Sequence, residues 1–180
     1  MAGCSYRRQG ILARGTVTID KLQAQEPRYG DLDLAGEIRL LGGYPLKANG
    51  TLAPRWLTEK EWQPLQVGLG GEVASLDVTA TSRGRYNADL AGNVRPLLPD
   101  IPYTASLKWS DLYFPWFTQH QLDSRKGQIK VIGDKHGLRS QGGIDLKTKY
   151  TPPVSGQWQL DMDWQNIEFN SLNISGLNGK

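Results

Sequence analysis

The sequence predicts an all-β chain of repeated, mainly antiparallel strands forming one long curled sheet, a trough with a hydrophobic groove. Three observations carry this. The 180 residues contain 21 glycines and 10 prolines, too much punctuation for long helices. The segments between them alternate apolar and polar residues with period two, the spacing of a strand with one oily and one wet face. And the heptad Asp33-Leu34-Ala35-Gly36-Glu37-Ile38-Arg39 returns 56 residues later as Asp89-Leu90-Ala91-Gly92-Asn93-Val94-Arg95. A sheet with one oily face must bury that face against another layer or roll up around it. The repeat favours rolling, because stacked units lengthen a sheet along an axis.

In chain order, residues 1–10 read as a tag-like or unstructured start, with Met1-Ala2-Gly3 and the one cysteine, Cys4. Residues 11–180 read as a single β-repeat domain of period about 55–56 residues, a piece of a longer protein. Leu32, Leu34, Gly36, Ile38 and Leu40 share one face, opposite Asp31, Asp33, Glu37 and Arg39. Leu46, Ala48, Gly50 and Leu52 repeat the pattern. Arg55 to Gln63 is weakly patterned and has room for a helical turn. Leu65, Val67 and Leu69 are odd-numbered, whereas Leu76, Val78 and Ala80 are even. One inserted residue near Gly70-Gly71, a β-bulge, would restore the face. Tyr86, Ala88 and Leu90 follow, then Ala105, Leu107 and Trp109. Trp116 to Lys126 is a second stretch with room for a helical turn. Trp158, Leu160, Met162 and Trp164, opposed by Gln157, Gln159, Asp161 and Asp163, give the cleanest alternation.

Two further echoes keep the same spacing. Gly71 to Leu76 resembles Gly127-Gln128-Ile129-Lys130-Val131, 56 residues on, and Trp109 to Phe114 resembles Trp164 to Phe169, 55 residues on. The phase and the echoes together nominate a groove lining: Leu34, Ile38, Leu46, Ala48, Leu90, Ala105, Leu107, Trp109, Ile129, Val131, Trp158, Leu160, Met162 and Trp164. The small residues among the candidates leave room for a bound chain.

Composition limits the alternatives. Mean hydropathy is −0.48, and no run approaches the roughly 18 apolar residues that cross a bilayer as a helix. The net charge of +3 is spread along the chain rather than gathered in a stripe, which argues against nucleic acid. A single cysteine excludes an internal disulfide framework. His120 and His136 match no zinc spacing, and Asp161 and Asp163 read as solvated carboxylates on the wet face of a strand. Gly68-Leu69-Gly70-Gly71 lacks the Lys-Ser/Thr of a phosphate loop, and no nucleophile elbow is present. The sequence therefore calls for no cofactor, no metal, no catalytic residue and no enzyme.

The period, the Asp-Leu-x-Gly-x-Val/Ile-Arg strands, the Tyr44-Pro45-Leu46 turn and the run Leu112-Tyr113-Phe114-Pro115-Trp116 resemble the TamB family of AsmA-like bacterial envelope proteins, in its N-terminal or middle repeats. The likeness covers the chain after about residue 10. It implies a U-shaped sheet, the β-taco, in the periplasm, with the whole protein held by an N-terminal inner-membrane helix that this chain does not include. It also implies phospholipid acyl chains as cargo, carried between inner and outer membranes. Assembly of outer-membrane proteins with a TamA-type partner would run through other parts of the full-length chain. This segment is expected to be monomeric.

Three readings follow. A lipid-conducting groove predicts a continuous apolar face open at both ends. A scaffold for outer-membrane protein strands predicts a long unpaired edge. A closed β-sandwich spacer predicts a packed interior.

Overall fold

The computed structural model describes residues 5–13, 15–26, 30–54, 63–83, 87–114, 122–148 and 152–176. Twelve strands form one open, curled antiparallel sheet. The first four are β1 (Ser5–Ala13), β2 (Thr16–Glu26), β3 (Gly30–Arg39) and β4 (Leu46–Pro54). The next four are β5 (Leu65–Glu72), β6 (Ser75–Ser82), β7 (Asn87–Val94) and β8 (Tyr103–Phe114). The last four are β9 (Leu122–Gly133), β10 (Gly137–Thr148), β11 (Val154–Asp163) and β12 (Ile167–Ser175). Spatial order equals chain order, so each strand pairs with its sequence neighbours and β1 and β12 are the edges. Eleven spacings of about 4.8 Å make the sheet about 53 Å long across its strands.

Several expectations need correction. Residues 5–10, read as unstructured, lie in β1 and pair with β2 from Ser5↔Gln25 onward; the hydrogen-bonding edge of β2 recruits them despite their weak alternation. The phase change near Gly70-Gly71 is no bulge. Strands β5 and β6 form a tight hairpin closed at Glu72↔Ser75, in which Leu69 faces Val78 and Val67 faces Ala80 without a register shift. The reversal pairs odd with even numbers and leaves the apolar face intact, aided by Gly71 at φ 94°. Residues 122–126, read as part of a helical turn, belong to β9. True irregularities fall elsewhere, between Ile19 and Leu22 and between Gln159 and Leu160 among others. The Arg55–Trp62 and Trp116–Gln121 stretches, Tyr86, His120 and Cys4 lie outside the described residues.

The repeat is partly structural. Strands β3 and β7 carry the twin heptads, and their Leu34 and Leu90, Gly36 and Gly92, and Ile38 and Val94 occupy matching positions four strands apart. The other two echoes do not superpose. Gly71 to Leu76 turns a hairpin where Gly127 to Val131 runs through mid-strand. Trp109 sits within β8, whereas Trp164 lies in the β11–β12 turn.

No second layer covers the sheet among the described residues. Trp109, at 7% exposure, is the buried hydrophobic residue there. The chain presents 12804 Å² to solvent, against about 8,700 Å² for a compact chain of this mass. About 4,100 Å² more surface is exposed than a closed domain of this size would show. A β-sandwich spacer, with both inner faces packed, does not fit.

Candidate functional site

Side chains directly opposite one another on paired strands point to the same face, so the register defines which residues share the apolar side. One unbroken row runs Leu22, Leu34, Gly50, Val67, Ala80, Leu90, Leu107, Ile129, Gly142, Trp158 and Leu172. A second runs Ile19, Gly36, Ala48, Leu69, Val78, Gly92, Ala105, Val131, Ser140, Leu160 and Phe169 through the same ladders. Flanking rows hold Val17, Ile38 and Leu46, then Leu76, Val94, Tyr103, Leu138 and Met162 on one side. On the other lie Leu32, Leu52 and Leu65, then Ala88, Trp109, Gly127, Ile144 and Gly156. Four rows spaced by about 6.8 Å make an apolar band about 20 Å wide.

From β2 to β11 the apolar side chains of this band are half-buried, with Trp109 buried. The opposite face carries Asp33, Glu37, Lys47, Lys108, Gln128, Lys130, Gln157 and Gln159, all exposed. Thirteen of the nominated lining residues fall in the band; Trp164 does not. It is 81% exposed and donates its indole N–H to the Lys135 carbonyl at 2.8 Å. The strand ends at Asp163, whose carboxylate accepts the backbone N–H groups of Gln165 and Asn166 at 2.7 Å each, and that turn swings Trp164 off the face. Those N–H groups hold the Asp163 carboxyl below its ordinary range.

Two tryptophans shape the band. Trp109 lies over its cross-strand partner Gly127, and Trp158 over Gly142; a Cβ on either glycine would overlap the indole, with Cη2 at 2.7 Å in each case. Glycine is required because the ring occupies the space a side chain would take. Each indole N–H is satisfied by a serine on the same face. Trp109 Nε1 donates to Ser124 Oγ at 2.8 Å, and Ser124 Oγ donates onward to the Lys126 carbonyl at 3.2 Å. Trp158 Nε1 donates to Ser140 Oγ at 3.3 Å. Ser124 is 0% and Ser140 7% exposed, so these polar atoms are hidden beneath aromatic carbon and the face stays apolar.

Sequence reading missed Leu22, Ile144 and Leu138 as members of the band; Val67 and Ala80 it placed on the apolar phase without nominating them as lining. Leu22 is displaced by the irregularity after Ile19. On β10 the alternation is masked because Ser140 and Gly142 are small to admit Trp158. On the wet face, Asp161 accepts from Arg139 Nε at 2.8 Å and from Asn170 at 3.0 Å, and both partners, Arg139 first, lower its pKa. His136 stands in the β9–β10 turn, 3.5 Å from Asp100.

This is a single antiparallel sheet, curled and open, with one continuous apolar face and, among the described residues, no second layer on it. The TamB N-terminal domain matches residues 7–180. The chain belongs to the TamB family, a non-enzymatic family of bacterial envelope proteins. No curated protein and no solved structure matches it. Among the described residues, no helix is long and apolar enough to cross a membrane.

Proposed function

We propose that the apolar face carries phospholipid acyl chains through the periplasm, between the inner and outer membranes, as one segment of a longer groove anchored at the inner membrane. The supporting observation is the unbroken row from Leu22 to Trp158, apolar or glycine at every strand and with no second layer over it among the described residues. Each methylene removed from water contributes about 0.8 kcal/mol, so a mostly enclosed sixteen-carbon chain gains on the order of 10 kcal/mol before ordering costs. The row offers nearly the same contact at each strand, so a chain can slide from strand to strand without re-entering water. The segment binds and guides; it performs no chemistry.

Photo-crosslinkers at Leu107 or Met162 in the intact protein in cells should capture phospholipid, while those at Lys108 or Asp161 should not. An arginine at Leu107 must be desolvated as chains pass, so a folded Leu107→Arg variant should lose envelope lipid balance. Normal lipid balance in that variant sinks the reading.

A second reading is a scaffold for strands of an outer-membrane protein, which would work by strand addition at an open sheet edge, with a TamA-type partner engaged elsewhere. Crosslinks from β12 to nascent outer-membrane strands, with none to lipid at Leu107, would favour it.

A further inference from the structure

The twin heptads continue into twin loops. After Arg39 comes Leu40-Leu41 and then Tyr44-Pro45; after Arg95 comes Pro96-Leu97-Leu98 and then Ile101-Pro102. Both loops are closed by the same hydrogen bond, Arg39 N to the Pro45 carbonyl at 2.9 Å and Arg95 N to the Pro102 carbonyl at 3.0 Å. In both, the residue before the proline has positive φ, 54° at Tyr44 and 49° at Ile101. Side chains other than glycine rarely adopt this conformation, and a β-branched one is an outlier. A strained geometry kept in two copies marks a shape the protein holds for a purpose.

That shape displays apolar side chains in water. Leu41 is 74% and Leu97 67% exposed, with Leu40, Leu98, Tyr44 and Ile101 between 42% and 50%. Beside them stand Arg39 and Arg95, exposed and on the wet-face phase. Neither guanidinium has an ion-pair or hydrogen-bond partner among the described residues, in contrast with Arg83 and Arg139, which pair with Asp89 and Asp161. Both loops lie on the same long rim of the sheet, four strands or about 19 Å apart. The rim is where the oily face meets water.

We propose that the two loops are headgroup stations for phospholipid. A lipid whose acyl chains lie on the apolar face has to leave its phosphate in water at the rim, and there the chain offers an unpaired guanidinium, the side chain whose fork fits phosphate oxygens. The adjacent leucines cover the methylenes that bridge rim and groove. The inference rests on the acyl-chain reading above and adds to it the recognised group and the points of recognition.

The test compares two fluorescent probes with identical acyl chains, a phosphatidylglycerol and a diacylglycerol that lacks the phosphate, titrated against the full chain. Replacing both arginines (R39A with R95A) should weaken phosphatidylglycerol by roughly two- to fivefold, the scale of an exposed ion pair, and leave diacylglycerol unchanged. Lysine at both positions should restore part of the loss, since it keeps the charge without the fork, and added salt should abolish the difference between parent and variant. Equal loss for both probes, or no loss for either, overturns the stations while leaving the groove standing. A parent chain that binds neither probe overturns groove and stations together. Leu107→Arg separates the two readings from the other side, because it should weaken both probes alike.

Discussion

Gly127→Ala is a one-methyl test of how the apolar face is built. The added Cβ would overlap the six-membered ring of Trp109, where non-bonded carbons need about 3.5–4.0 Å. The indole cannot simply slide: its N–H is held by Ser124 Oγ at 2.8 Å, and Ser124 is fully buried. Displacing the ring by more than about 1 Å breaks that hydrogen bond, costing about 1 kcal/mol, and forces repacking that typically costs 1–3 kcal/mol. Removing a glycine from a strand returns about 0.5–1 kcal/mol. The net expectation is a loss of about 2 kcal/mol, read as a lower urea midpoint by circular dichroism. Gly156→Ala is the control, two strands away in the same row, where the nearest atom to a new Cβ is Ile144 Cγ2 at an ordinary 3.6 Å. It should be neutral or slightly stabilising. In a Trp109→Leu background the Gly127→Ala cost should largely vanish, exposing the coupling. Equal midpoints for parent and Gly127→Ala, or an equal loss from Gly156→Ala, would refute the packing argument.

Trp109→Ala should cost about 3–5 kcal/mol, whereas Trp164→Ala, removing an 81% exposed ring held by one hydrogen bond to Lys135, should cost no more than about 1 kcal/mol; urea midpoints of the two variants decide. Ser124→Ala should lower stability by about 1 kcal/mol and red-shift the fluorescence of Trp109 as its N–H seeks water. The Arg139 hydrogen bond lowers the Asp161 pKa from 3.8, so the pair's contribution is present above the ordinary carboxylate range and is lost as pH falls through the lowered value. Arg139→Gln should therefore be less stable than the parent at neutral pH, the gap should close well below pH 3.8, and the Asp161 carboxyl resonance should titrate at higher pH in the variant. A gap that persists unchanged in acid would show that the carboxylate is not its source.

Strand phase was legible because successive side chains on a strand face opposite ways. Leu34, Ile38, Leu107 and Leu160 could be placed on one face from their spacing alone. What the letters could not show was reversal. At Gly71 to Leu76 a change from odd to even looked like an inserted residue, yet a tight hairpin produces the same change by turning the chain back. The Trp109 and Trp164 runs match in letters, but Asp163 and Asn166 form a turn at one of them, and turn chemistry outweighs similarity of the flanking residues. Register was also hidden. That Trp158 needs Gly142 opposite it and Ser140 diagonally placed for its N–H depends on a pairing that leaves no mark in either strand alone. The twin loops were available to reading, since Leu-Leu and a residue before proline follow both heptads, but their meaning needed the shared hydrogen bond and the exposed side chains.

A curled sheet with no second layer among the described residues raises the question of what holds it open and still folded. The pairing supplies the answer: each strand touches only its neighbours in sequence, so stability accumulates from adjacent pairs, as in other repeat architectures. In a closed domain the apolar face would be the core and could not be spared for a ligand. Here most of it is only half-buried, and the hydrogen-bond ladders, cross-strand contacts and the Trp109–Ser124 and Trp158–Ser140 pairs carry the fold instead. That division leaves the middle rows free of any obligation to pack against protein. It also means that more strands can be added without redesigning a core, because a new strand needs only an edge to pair with and an apolar residue at the right phase. An apolar sheet face of arbitrary length follows from the same local rule that folds the first hairpin.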